Sequence, residues 1–422
     1  MSGLVTARVE PDRKMIATHT VILHRDRELR DPVTLEYVEE TLRGSQARLL
    51  GRTVVGPRIE LGAYRWASVV DWVDVEFELG RPSQHWHLND RIEALTGRKE
   101  YPEALDVGPG GTATRYRLRV QEPDFGQLRG VLTDIRSEYG FAAPALVVGI
   151  EVCIDAYPLR PSEEARARLH GVLVRHFFPT TSFLKEPEQW PRAFPGRRRG
   201  RKIDYIVARR EGDPEGDLMA RMTPGHDRSP FYDATVYVGR KDDPLASWRI
   251  QNKVIDKQNL KAGTQQILSE AEKRIRIEVS LGPEGCRKAG LGTFDALGAF
   301  RFTRMQKMFF QFMKPTFAAK RIKSRETFMP AIRNAVDDLG RQRFLNAGVL
   351  GVQIREDARD EMARLHRPRL KNWHLNRGSR IPGRPRTGAG AYGTLVAYQD
   401  LARAVERALA GLQRRIEAEM KR

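Results

Sequence analysis

Glu151 and Asp155 stand in Ile150-Glu-Val-Cys-Ile-Asp, inside a stretch that is otherwise apolar from Ala145 to Tyr157. Strand alternation puts both carboxylates and Cys153 on one face. Carboxylates on such a strand need compensation, and a divalent cation that prefers oxygen ligands, Mg2+ or Mn2+, would supply it. A plain solvated strand face fits the same alternation equally well. Glu278 repeats the theme in Arg274-Ile-Arg-Ile-Glu-Val, where Arg274, Arg276 and Glu278 share a face. His85-Trp-His87 has the spacing that pairs two imidazoles on a strand. The run from Ser83, a plausible N-cap, to Gly97 reads instead as a helix, which would splay the two rings. Other chemistry is missing: Gly108 to Gly111 lacks the Lys-Ser/Thr of a phosphate loop, Gly290 and Gly292 lack a third glycine at dinucleotide spacing, and no Gly-x-Ser-x-Gly elbow occurs.

The elements that would position these residues alternate between strand and helix patterns, which predicts an α+β fold with a mixed, largely antiparallel sheet and helices packed on it. Strand signals cover Val69–Phe77, Arg115–Val120, Ala145–Tyr157, Ile203–Ala208, Tyr232–Gly239, Ser247–Val254 and Arg274–Leu281. Helix signals cover Phe125 to about Gly140 and Ser162 to Phe177. Residues 1–62 read as an N-terminal appendage with a helix-like piece from Pro32 to Arg48, and 63–285 as the main domain. Residues 286–422 read as a basic, mainly helical region, broken at Gly340, Gly348 and Gly351, with a flexible 377–393 segment and a last amphipathic helix from Leu395 to about Met420.

Charge says most about the partner. The chain carries a formal +19, and from Cys286 onward there are 29 Lys or Arg against 12 Asp or Glu, leaving 44 against 42 before it. A concentrated positive field draws a polyanion through phosphate contacts and counterion release, so DNA is the expected partner, with RNA the alternative that charge cannot separate. Basic clusters suited to a phosphate backbone are Arg197, Arg198, Arg199, Arg201 and Lys202 in the Pro191–Lys202 loop, where solvation is the competing reading, and Lys320, Arg321, Lys323 and Arg325. No apolar run approaches a membrane span and no secretory leader is evident, so membrane partners are not expected and a cytoplasmic location is. Two cysteines, Cys153 and Cys286, are too few for a disulfide framework or a cysteine metal site and read as ordinary buried thiols.

Thr235-Val-Tyr-Val-Gly-Arg-Lys, then Trp248-Arg-Ile-Gln-Asn-Lys, then Arg276-Ile-Glu resembles the replication initiators of rolling-circle plasmids and some filamentous phages, the transposon-like initiator family. Val70-Asp-Trp-Val-Asp-Val is similar to that family's opening strand, and Glu151 with Asp155 to its acidic strand. The likeness spans roughly residues 65–285. It implies origin DNA, double- and single-stranded, as partner, with a helicase and a second copy of the chain as further ones. It also implies a tyrosine that attacks a phosphodiester, a metal held by Glu151, Asp155 and Glu278, and phosphate contacts from Arg249 and Lys253. At the family's tyrosine position this chain has Gln251, whose amide cannot bond covalently to phosphorus. Tyr237 and Tyr232 are the nearest substitutes; metal-activated water, or binding without cleavage, are the other ways to read the departure.

Overall fold

The computed structural model describes residues 15–25, 28–42, 49, 51–98, 100–179, 190–195, 203–204, 214–223, 227–259, 264–319, 328–376 and 395–421. In chain order come β1 (Met15–Arg25), β2 (Glu28–Thr41), β3 (Arg52–Pro57), β4 (Tyr64–Gln84), α1 (His85–Thr96), β5 (Glu103–Ala104), β6 (Thr112–Gln121), α2 (Phe125–Tyr139), β7 (Leu146–Pro158) and α3 (Glu163–His176). They are followed by β8 (Arg192–Pro195), β9 (Ile203–Asp204), α4 (Pro214–Met222), β10 (Ala234–Val238), β11 (Ala246–Lys253), β12 (Ile255–Asn259), β13 (Thr264–Ile267) and β14 (Arg274–Leu281). The rest comprises α5 (Pro283–Ala289), α6 (Arg304–Phe309), β15 (Met313–Ala318), α7 (Phe328–Asn376), β16 (Leu395–Ala397) and α8 (Gln399–Glu419).

Nine strands form an open sheet in the order β5-β6-β4-β7-β14-β11-β10-β8-β9, and every pairing in it is antiparallel. Its centre is asymmetric by sequence. Ile150, Val152, Ile154 and Ala156 of β7, Ile275, Ile277 and Val279 of β14, and Trp248 and Ile250 of β11 alternate onto one buried face, which α2, α3, α5 and α8 cover. The intervening positions carry the charged and hydroxylated side chains on the other face. Ser162 caps α3 by accepting from the Ala165 amide, and Asp124 caps α2 by accepting from the Gln127 amide.

A second, five-stranded sheet has the order β1-β2-β3-β15-β16. The N-terminal segment expected as an appendage therefore shares a sheet with strands from the basic third. One hydrophobic cluster runs from Val21 to Met420 through both sheets. Tyr37 of β2, His176 of α3, Phe344 of α7 and Tyr398 before α8 meet with ring centroids 5.2–5.7 Å apart, which ties the sheets together. His176 is fully buried with Nδ1 2.6 Å from the Met313 carbonyl, and burial lowers its pKa to about 3, so it serves packing as a neutral ring.

Of the helix expected from Pro32 to Arg48, the part from Pro32 to Thr41 belongs to strand β2, and residues 43–48 lie outside the described residues. Leu35, Val38 and Leu42 fit a helical period, but Leu35, Tyr37 and Glu39 fit a strand period as well, and β1 and β3 supply the cross-strand partners that decide it. Glu39 points inward because Arg341 of α7 reaches it through two hydrogen bonds of 2.7 and 2.9 Å. Burial pushes this carboxyl up, yet bonds from His19, Arg341 and Thr53 outweigh it and hold the pKa at about 2. Within α7, Gly348 alone leaves helical geometry, at φ 70°, while Gly340 and Gly351 stay in helix. The 377–393 segment lies outside the described residues. Among those described, no helix is long and apolar enough to cross a membrane.

Candidate functional site

Antiparallel register lines up the polar face in rungs. Tyr237 of β10, Arg249 of β11, Glu278 of β14 and Cys153 of β7 stand opposite one another; the next rung holds Gln251, Arg276 and Asp155, and the one on the other side Ser247, Ser280 and Glu151. All three acids predicted from sequence are therefore brought together, with the phosphate-contact candidate Arg249 among them.

The acids are compensated mostly by arginine. Arg276 grips Asp155 with two bonds of 2.6 and 2.7 Å, and Arg274 adds a third at 3.1 Å. Glu278, only 1% exposed, accepts from Arg249 through one oxygen and from the Gln251 amide at 2.7 Å through the other. So the residue that replaces the expected nucleophile holds the central carboxylate in place. Glu151 accepts from Ser280 and lies 3.7 Å from Arg249. Burial, then the like charge of Glu278, raises its pKa. Asp155 and Glu278 thus have both oxygens engaged by protein donors and do not fit the Mg2+ or Mn2+ ligand set expected of them; of the three, only Glu151 is lightly held. Lys253 pairs with Asp256 at 3.1 Å instead of lying beside these acids.

Sequence reading missed Asp71. β4 carries an irregularity between Val70 and Trp72, and another between Asp74 and Val75. Such bulges re-aim side chains. Asp71 turns onto the polar face, 2.9 Å from Arg276 Nη1, while Asp74 takes a two-bond grip from Arg119 at 2.6 and 2.7 Å. Gly149 makes room for this: a Cβ there would lie 3.0 Å from both Asp74 Oδ2 and the Trp72 ring. The signal in sequence was Asp71 and Asp74 breaking alternation within β4.

At this end of the sheet a cleft of about 970 Å³ opens. Arg117, Arg119, Arg192, Arg249 and Lys241 line it together with Asp71, Asp74, Glu151, Trp72, Phe194 and Tyr237. Tyr237 is half-buried, meets Phe194 edge-on at 5.4 Å, and its hydroxyl has no hydrogen-bond partner among the described residues. Tyr232 is elsewhere: its ring is in the core and its hydroxyl donates to Glu163 at 3.0 Å. Burial and that carboxylate push its pKa up to about 12. Tyr157, unweighed in sequence, does sit on the polar face, its hydroxyl 3.4 Å from Asp155 and its ring flanked by Arg65 and Arg274 at 4.1 and 5.5 Å.

No protein-family model, no curated protein and no solved structure matches the chain. His85 and His87 sit in the first turn of α1, both exposed, with Trp86 between them. Arg197, Arg198, Arg199, Arg201, Lys202, Lys320, Arg321, Lys323 and Arg325 lie outside the described residues.

Proposed function

We propose that the polar face of the nine-stranded sheet holds the phosphodiester backbone of DNA, and that the chain is a replication-initiator-like protein of a mobile element. The observation that carries this is the cleft. Arg117, Arg119, Arg192, Lys241 and Arg249 line it among five carboxylates, Asp71, Asp74, Glu151, Asp242 and Asp243, and the aromatic residues Trp72, Phe194 and Tyr237, and its wall includes the strands that carry the initiator-like motifs. Cations at a phosphate position the backbone, aromatic faces suit unpaired bases, and the basic C-terminal third adds counterion release.

In this reading Tyr237 is the hydroxyl that attacks a phosphorus bound in the cleft, with Arg249, directly opposite it on the next strand, balancing the charge that develops. Transfer would form a Tyr237 Oη–P ester, break the P–O3′ bond, and pass the phenol proton by way of solvent to O3′, which leaves as the 3′-hydroxyl of the DNA.

A second reading, binding without cleavage, is favoured by Gln251, which is committed to Glu278. Incubating the full chain with a supercoiled plasmid bearing its element's origin and a divalent ion, then running denaturing gels, separates the two. A protein–DNA adduct supports transfer, binding without nicks supports the second reading, and the absence of salt-sensitive DNA binding overturns both.

A further inference from the structure

We infer that Asp71, Glu151 and Cys153 form a divalent-metal site in the wall of the cleft, one suited to a thiolate-accepting ion of the Zn2+ or Co2+ kind. Ligand atoms of the three residues all lie within 4.8 Å of one another. Metal–oxygen bonds of about 2.0–2.2 Å and metal–sulfur bonds of about 2.3 Å set the ligand atoms of a tetrahedral ion about 3.3–3.7 Å apart, so the three side chains would draw together by up to about an ångström to hold one.

Three further observations point the same way. Cys153 is fully buried on the polar face, aimed between two carboxylates, and its thiol has no hydrogen-bond partner among the described residues. Within the ion-paired network, Asp71, Glu151, Asp155 and Glu278 share Arg249, Arg274 and Arg276, one fewer guanidinium than carboxylates. Asp71 and Glu151 also line the cleft, so an ion has a way in and its open coordination positions face a bound ligand.

Unlike Asp155 and Glu278, Asp71 and Glu151 each keep one oxygen without a close donor among the described residues: Asp71 meets Arg276 through Oδ1 alone, and Glu151 accepts from Ser280 through Oε2 while Oε1 lies 3.7 Å from Arg249. Sulfur in the set is what selects the ion, because thiolates favour Zn2+ or Co2+ over Mg2+. On binding, the thiol gives its proton to solvent.

The inference does not rest on the DNA reading, and its test is independent of DNA. Metal-free full-length protein is titrated with Co2+ while the thiolate-to-cobalt charge-transfer absorption is followed. One equivalent should raise the band, Zn2+ should displace it, and excess Mg2+ should not. Cys286→Ser should keep the band and Cys153→Ser abolish it. Asp71→Asn, with circular dichroism matching the parent, should keep the band but bind about tenfold or more weakly. No band in the parent, a band that survives Cys153→Ser, or unchanged affinity in Asp71→Asn would overturn the site. Loss of DNA binding in a protein that keeps the band would leave the site standing and remove only the DNA reading.

Discussion

Arg276→Met should destabilise this protein far more than its place on an open sheet face suggests. Arg276 is 3% exposed and answers two acids, Asp155 through two bonds and Asp71 at 2.9 Å. Met fills similar volume and keeps the stem's packing, so the loss is electrostatic. Removing one partner of a buried pair costs about 3–5 kcal/mol. Because Arg274 still holds Asp155 at 3.1 Å, the lower end, about 3 kcal/mol, is expected here. Removing both charges, in Asp155→Leu with Arg276→Met, should recover part of that, the remainder reflecting Asp71 left without Arg276 and Arg274 left without Asp155. Urea unfolding at pH 7 reads the effect as a midpoint shift at unchanged slope. A single variant within about 0.5 kcal/mol of the parent, or a double variant as unstable as the summed singles, would refute the claim that these arginines compensate buried charge.

Glu39 should give stability a pH dependence: its folded pKa of about 2 lies below the ordinary 4.5, so its contribution is full above about 4.5 and is lost as pH falls toward 2. The shift corresponds to about 3 kcal/mol, and Glu39→Gln should flatten that acid limb in urea midpoints measured between pH 5 and about 2.5; an unchanged limb would be contrary. Tyr237→Phe should abolish any protein–DNA adduct, whereas Tyr232→Phe should leave it intact while costing about 1 kcal/mol for the lost bond to Glu163. Peptide mapping of the adduct to Tyr157 would reassign the nucleophile. Gly348→Ala should cost about 2–6 kcal/mol, because it puts a Cβ 2.6 Å from the Arg175 backbone at φ 70°; a thermal scan showing under about 1 kcal/mol would contradict the close approach.

Apolar alternation made the central strands legible: β14 spans Arg274–Leu281 as its sequence pattern indicates, and β7, β10 and β11 differ from theirs by one or two residues at the ends. The two-faced sheet and its rung of acids follow from that alternation. Compensation of those acids was not legible, because Arg249, Arg274 and Arg276 reach them from neighbouring strands, and only register says which pairs touch. Asp71 was hidden for a related reason, since a bulge breaks the period-two rule from which its side would be read. Residues 32–41 were misjudged because a short polar segment satisfies two periods, and the tie is broken by β1, β3 and Arg341, up to 302 positions away.

The five-stranded sheet sets an order of events during synthesis. β3 is complete at Pro57, but its neighbour β15 begins only at Met313, and β16 follows at Leu395. At about 5–20 residues per second, β3 waits roughly 12–50 s for its partner to be made. Throughout that interval the outer row of amides and carbonyls of β3 is an open template for any other exposed strand. Slow translation of residues 58–312 would therefore prolong the exposure of that edge before the native sheet is completed.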